Sequence, residues 1–356
     1  MRRLVCLVFA LVTFGGCTTL GYYGQAMGGH LAVLGRARPI DELLADPTLA
    51  PELRSRLERV LAIRNFASQA LRLPDNDSYR RYADLGRPFA VWNVFAAPEL
   101  SLQAKEWCFL FAGCVAYRGY FSLPAAQQQA EQLQREGYDV HVGGAIAYST
   151  LGWFNDPLLN TMFGRPEPEL AGLLFHELAH QKLYVPDDTA FNESFAMTVE
   201  REGVRRWLVS QRIGTDYVAY LESARRQEEF TALVLRYRER LETLYRSAHS
   251  DDDKRRRKQE LFSDLKLEYV QVQQRWGGYS GYDRWMENLN NAKFVSVGLY
   301  HDYVSAFEVL LAQQHGDLSA FYAAARKLAQ QPRAVRAAAL AALMPGSIAP
   351  CVGTQQ

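Results

Sequence analysis

Residues 166–196, PEPELAGLLFHELAHQKLYVPDDTAFNESFA, decide the fold of this 356-residue chain. Pro166 and Pro168 with Glu167 and Glu169 form a sound helix start, since proline suits the first turn and acidic side chains complement its dipole. The apolar run Leu170–Leu183 then carries His176, Glu177 and His180. Residues four apart share a helix face, so the two imidazoles aim at one point. Asp188–Gln211 reads as a second long helix, and the turn-rich Val185-Pro186-Asp187-Asp188 is short enough to fold the two back antiparallel.

Two histidines and a glutamate inside a buried helix are costly without a partner. A metal ion is the partner this spacing suits, and HExxH on a helix points to zinc. Glu177 stands about 100° round from His176, near enough to act as base toward a water activated by the ion without being a ligand. A catalytic zinc has three protein ligands and an open position, whereas structural sites are closed by four, usually with cysteine. No CxxC is present. Two carboxylates compete for third ligand. Glu193 lies thirteen positions beyond His180, with the twelve residues 181–192 between them, and Glu200 lies two helical turns further along the same face. Glu193 is the expected ligand, with Glu200 as the carboxylate that orients a ligand histidine through its other N–H.

HExxH followed on a second helix by Asn192-Glu193-Ser194-Phe195-Ala196 resembles the gluzincin zinc peptidases, particularly the alanyl-aminopeptidase-like group with its NEGFA segment. The spacer here is shorter than in those enzymes, and Glu200 would restore their spacing. The segments 21–26 (GYYGQA), 92–98 (WNVFAAP), 115–121 (VAYRGYF) and 147–154 (AYSTLGWF) are similar to a family of bacterial proteins described as predicted aminopeptidases. The resemblance implies a peptidase with one zinc per chain acting on a peptide substrate, and by the family likeness an aminopeptidase. An amidase or endopeptidase of cell-wall peptides and a non-catalytic zinc-binding envelope scaffold stand as alternatives.

Around the helix pair, 88–95, 108–117 and 140–149 read as strands, with a helix over Ala125–Glu136 between the last two. The expected fold is α+β and mostly helical: a zinc-binding helix pair beside a small mixed sheet, over 87–213, preceded by a tether and helices over 17–86 and followed by a helical region over 214–356. By the gluzincin resemblance, Gly143–Thr150 is the edge strand that binds substrate backbone, its glycines permitting close approach. The glutamate that grips the substrate amine in the GAMEN segment of alanyl aminopeptidases has no counterpart in Gly144-Ala145-Ile146-Ala147. Asp156 is either a replacement for it or a turn residue before Pro157.

Met1-Arg2-Arg3 and the apolar Leu4–Phe14 form a signal peptide over 1–16, too short to span a membrane. It ends in Phe14-Gly15-Gly16-Cys17, which resembles a bacterial lipobox. Cys17 is therefore the expected lipidation site, and the protein is expected to be exported, anchored by lipid, and on the outer membrane of a host that has one. Cys108 and Cys114 could pair in such a compartment. A net charge of +1 argues against nucleic acid as a partner and names no protein partner. No later stretch reaches eighteen apolar residues, so apart from the lipid the protein is expected to be soluble.

Downstream, Tyr217–Trp276 has a helical rhythm broken by the charge run 250–258, read as a solvated turn between two helices. Zinc peptidases need a donor to the oxyanion. Tyr300, His301 and Tyr303 open a predicted helix running to Gln314, and Tyr300 is the candidate catalytic donor.

Overall fold

The computed structural model of the protein describes residues 21–109, 113–150, 153–211, 214–298 and 303–344. Cys17, Tyr300 and His301 lie outside them. The fold is α+β and mostly helical, as expected. No helix among the described residues is long and apolar enough to cross a membrane.

Helix α1 covers residues 21–36. It is followed by β1 (Arg38–Pro39), α2 (Ile40–Ala45) and α3 (Pro51–Gln69). The strands β2 (Arg81–Ala83), β3 (Val91–Pro98), β4 (Trp107–Phe109), β5 (Gly113–Val115) and β6 (Arg118–Tyr120) lead to α4 (Leu123–Arg135), β7 (Tyr138–Ala145) and β8 (Leu158–Leu159). The helices α5 (Glu167–Lys182) and α6 (Thr189–Gln211) then pair. A long hairpin, α7 (Gly214–Arg246) and α8 (Asp251–Arg275), precedes α9 (Asp283–Met286), α10 (Asn291–Gly298), α11 (Val304–Gln313), α12 (Leu318–Ala329) and α13 (Arg333–Leu343).

The sheet that matters for the site has the order β6-β3-β7, both pairings antiparallel, with Asn93 opposite Gly119 on one side and Gly143 on the other. Side chains alternate along β3. Trp92, Val94 and Ala96 pack with Tyr120, Leu133 and Val140 against α4, while Val91 and Asn93 turn to the opposite side and line a cleft. The strand expected over 108–117 is instead a separate hairpin, β4 with β5, in which Cys108 faces Cys114 with sulfurs at a bonding distance of 1.98 Å. The strand expected over 140–149 stops at Ala145. Gly144 gives up its side chain to the Phe89 ring, which lies 2.4 Å from where a Cβ would sit, so this glycine accommodates the protein's own core. Beyond it, Asp156 Oδ2 accepts from Thr150 N at 2.9 Å and Ser149 Oγ at 3.3 Å and draws that segment into a turn.

Helix α5 begins at the Pro166 cap, with Glu167 bridging to Arg59 at 2.7 Å and accepting from Trp207 Nε1 at 3.1 Å. Leu174, Phe175 and Leu178 are fully buried, each contributing ~1.5–3 kcal/mol by leaving water. Two glycines let α6 approach closely. A Cβ on Gly203 would come within 2.6 Å of the Phe175 ring, and one on Gly172 within 3.0 Å of Glu200 Oε1.

The charge run at 250–258 corrects its sequence reading. Ser250 caps α8, accepting from Asp253 N, and the run forms the first turns of that helix instead of a turn between helices. Its last residue, Lys258, is not solvated: it is 4% exposed, pairs with Asp139 at 2.7 Å and donates to Glu99 O at 2.8 Å. The hairpin is thereby fastened to the far end of the sheet. Its own core is aromatic, with Phe230 stacked on Tyr282 at 4.0 Å and Phe262 on Phe294 at 5.6 Å. The helix expected from Tyr300 is described from Val304, with Tyr303 as its cap.

Candidate active site

His176 and His180, one turn apart on α5, turn their Nε2 atoms toward each other at 3.2 Å. Glu193, at the start of α6, reaches between them: its Oε2 is 3.3 Å from His176 Nε2 and its Oε1 is 3.7 Å from His180 Nε2. One potential ligand atom from each of the three lies within 4.8 Å of the others. Nitrogen and oxygen ligands about 2.0–2.2 Å from a tetrahedral zinc are separated from one another by about 3.4 Å. The observed spacings bracket that value. Two facing imidazole nitrogens can be satisfied by one shared proton, but a cation at the point where they meet the carboxylate would engage all three groups at once. The donor set of two nitrogens and a carboxylate oxygen could therefore hold zinc.

Glu200 Oε2 sits 3.0 Å from His176 Nδ1, on the ring edge turned away from this cluster. The two competing carboxylates thus occupy different places: Glu193 at the convergence of the Nε2 atoms, Glu200 behind His176. A carboxylate on Nδ1 fixes the ring's orientation and tautomer and raises its basicity. Among the described residues His180 has no such support, and its buried Nδ1 finds no partner.

Glu193 is delivered by its neighbour. Both amide atoms of Asn192 pair with the backbone of Val185, Oδ1 accepting from N and Nδ2 donating to O, each at 2.8 Å. This closes the loop between the helices and sets where α6 begins. Asp188 caps the same end, its Oδ1 accepting from Phe191 N at 3.1 Å, and its Oδ2 accepts from Arg336 Nε at 2.8 Å across a buried ion pair reaching from α13. Ser194 Oγ accepts from Tyr303 N at 3.1 Å. The NESFA segment thus carries one candidate ligand and two residues that hold it in place.

Electrostatics follow from burial. The Glu177 carboxyl is pushed up to about 7, chiefly by desolvation, with His176 opposing and Glu193, Asp156 and Glu200 adding to the rise. Burial would lower His176, but hydrogen bonds to Glu193 and Glu200 hold it well above the usual imidazole range, while burial takes His180 down to about 4. Tyr117 is held well above the ordinary phenol range by burial and by the negative charge of Glu193. Tyr184 is raised for the same reasons.

These groups open into a cleft of about 560 Å³ floored by α5 and α6, with the β3 and β6 face of the sheet opposite and residues 147–149 at one side. Tyr117 and Tyr184 line it, as do Tyr22, Tyr23 and Ala26 from α1. Sequence reasoning assigned none of the four tyrosines to the site. Tyr22, Tyr23 and Tyr117 do fall in the segments that carry the family likeness, which was the available signal. Asp156 is 2% exposed, with Oδ1 unpartnered among the described residues and Oδ2 holding the 149–150 turn. Tyr300, the expected oxyanion donor, lies outside the described residues.

No curated protein and no solved structure matches the chain. A family model does match residues 21–340, from the start of α1 almost to the end of α13, and by that match the chain belongs to the family described as "Putative aminopeptidase".

Proposed function

We propose that the protein is a zinc-dependent peptidase that removes residues from the amino terminus of peptides, with His176, His180 and Glu193 holding the ion and Glu177 as general base. The observation that carries this reading is the convergence of two Nε2 atoms and one carboxylate beside a half-buried glutamate in an open cleft. Family membership supports the peptidase class and is the ground for amino-terminal specificity.

When bound, zinc supplies a Lewis acid that brings the pKa of a water toward neutrality and polarises a carbonyl. The chain's own groups do the rest. Glu177, raised to about 7 by burial, is poised to take a proton from the attacking water and return it to the leaving amine near neutral pH. Glu200 holds His176 through Nδ1 so that Nε2 keeps its direction. Tyr117 and Tyr184 stay neutral and offer phenolic donors to a carbonyl oxygen in the cleft, the role first expected of Tyr300.

Export and lipidation at Cys17 belong to the same proposal. Cys108 and Cys114 at bonding distance suit an oxidising compartment. Labelled fatty acid should enter the wild-type protein in cells and fail to enter Cys17→Ala.

The central test uses the purified protein without its lipid. About one zinc per chain should be retained, and Glu193→Ala should lose it. Peptides with a free amino terminus should be hydrolysed and their acetylated counterparts should not. Loss of zinc in Glu200→Ala with retention in Glu193→Ala would reverse the two carboxylates, and cleavage of blocked peptides would replace the amino-terminal specificity with an internal one.

A further inference from the structure

Strand β6 ends the sheet on the side of the cleft, and its outward main-chain groups are Gly119 O and Phe121 N. Such a pair, one carbonyl and one N–H two residues apart, is what an extended peptide engages when it adds to a sheet edge. In this protein both are taken. Gln25 Nε2 donates to Gly119 O at 3.3 Å, and Gln25 Oε1 accepts from Phe121 N at 3.3 Å. A primary carboxamide has the same donor and acceptor as a peptide group, so the Gln25 side chain stands in for one residue of an added strand.

The rest of α1 holds it there. Arg118 lies over the Tyr22 ring at 4.0 Å, and Tyr22 meets Tyr120 edge-on at 5.7 Å. Gly29 packs so tightly on Phe121 that a Cβ would fall 2.3 Å from its ring, and His30 Nδ1 pairs with Tyr148 Oη at 3.0 Å. Between these contacts Tyr22, Tyr23 and Ala26 form a wall of the same cleft that holds His176 and Glu177.

We infer that α1 is a specificity element: Gln25 occupies the β6 edge and the tyrosines beside it bound the cleft, so that the enzyme takes short peptides and turns away long extended ones. This rests on the peptidase reading above. A long substrate must either compete with Gln25 for the two main-chain groups or leave them, whereas a short one need not reach them.

The test compares kcat/KM for a series of alanine-rich peptides from two to eight residues, using the intact chain and two variants. Gln25→Met keeps the side chain's length and removes both bonds. Gln25→Glu keeps the shape and sets a carboxylate against Gly119 O. Wild type should favour the shortest peptides, and both variants should raise the octapeptide-to-dipeptide ratio by about tenfold, the effect of freeing one or two main-chain hydrogen bonds for substrate. Using two variants guards against one that fails to fold, which its thermal unfolding would reveal. Hydrolysis by wild type with no length preference, or an unchanged ratio in a folded variant, overturns the inference and leaves the peptidase reading standing. Failure of wild type to cleave any peptide overturns that reading and takes this inference with it.

Discussion

Two antiparallel helix pairs dominate the molecule and bury polar groups in opposite ways. In the α7–α8 region most buried groups are matched, Arg238 Nε excepted. Lys258 meets Asp139 and Glu99 O, and Asn291, fully buried, donates to Pro98 O, Glu99 O and Ser101 O while accepting from Tyr245 Oη at 2.8 Å. In the α5–α6 pair and around its cleft, His180 Nδ1, Asp156 Oδ1, Tyr79 Oη and His30 Nε2 are buried with no partner among the described residues. Tyr79 also holds a φ of 63°, in the left-handed region, where a bulky residue is strained. Burial with partners builds structure, while burial without them costs stability and marks where a ligand, an ion or water completes the set.

The comparison breaks most sharply at Glu177. Glu177→Gln should lower kcat/KM for peptide hydrolysis by about 10²–10⁴ while metal analysis finds zinc retained, because the amide cannot accept a proton. If zinc is lost as well, the residue is a structural part of the site. On the other pair the expected effect is on folding: Lys258→Ala takes the cation from Asp139, which still accepts from Asn291 N at 2.9 Å, and should destabilise by about 1–3 kcal/mol in denaturant unfolding, with zinc affinity unchanged. A drop in zinc affinity there would mean that the two regions are one cooperative unit.

Smaller effects sharpen the division within the site. Glu200→Ala should weaken zinc binding by about 10–100-fold, by competition with a chelator, since it orients a ligand without being one. The smallest expected change is with pH. The carboxylates on either side hold a proton on His176 in the metal-free site, and an ion must displace it. Zinc affinity should therefore fall as pH falls, by about tenfold per unit for each proton displaced, and level off above the raised His176 pKa. A flat profile near neutrality would show that no proton is exchanged.

Much of this site was legible in the chain itself. The helix start at Pro166–Glu169, the four-residue spacing of the histidines and the turn at 185–188 are local signals, and local signals fix helices and which residues share a face. Periodicity could not separate Glu193 from Glu200, because both lie on the same face of α6, and the choice of Glu193 rests on the local NESFA segment. Their separation depends on how α6 docks against α5. Gly172 and Gly203 set that approach, and it puts one carboxylate in front of His176 and the other behind it.

The charge run 250–258 misled for a related reason. A lysine among aspartates and arginines has a solvated reading unless something distant needs its charge, and Asp139 lies 119 residues away. Strand ends were similarly obscured: β7 stops at Ala145, and Asp156 holds the segment beyond it through Ser149 and Thr150.

The amino-acid sequence alone determined the helix pair, the chemical identity of the candidate ligands and base, and the presence of a small sheet, since each depends on spacing within a few turns or strands. Only the tertiary structure decided that Asn192 and Arg336 hold the Glu193 end of α6, that Tyr117 and Tyr184 face the cleft, and that α1 returns to cover the β6 edge. Apart from Asn192 with Val185, seven residues away, those meetings join residues far apart in the chain, and no local periodicity records which distant groups will meet when the apolar faces close.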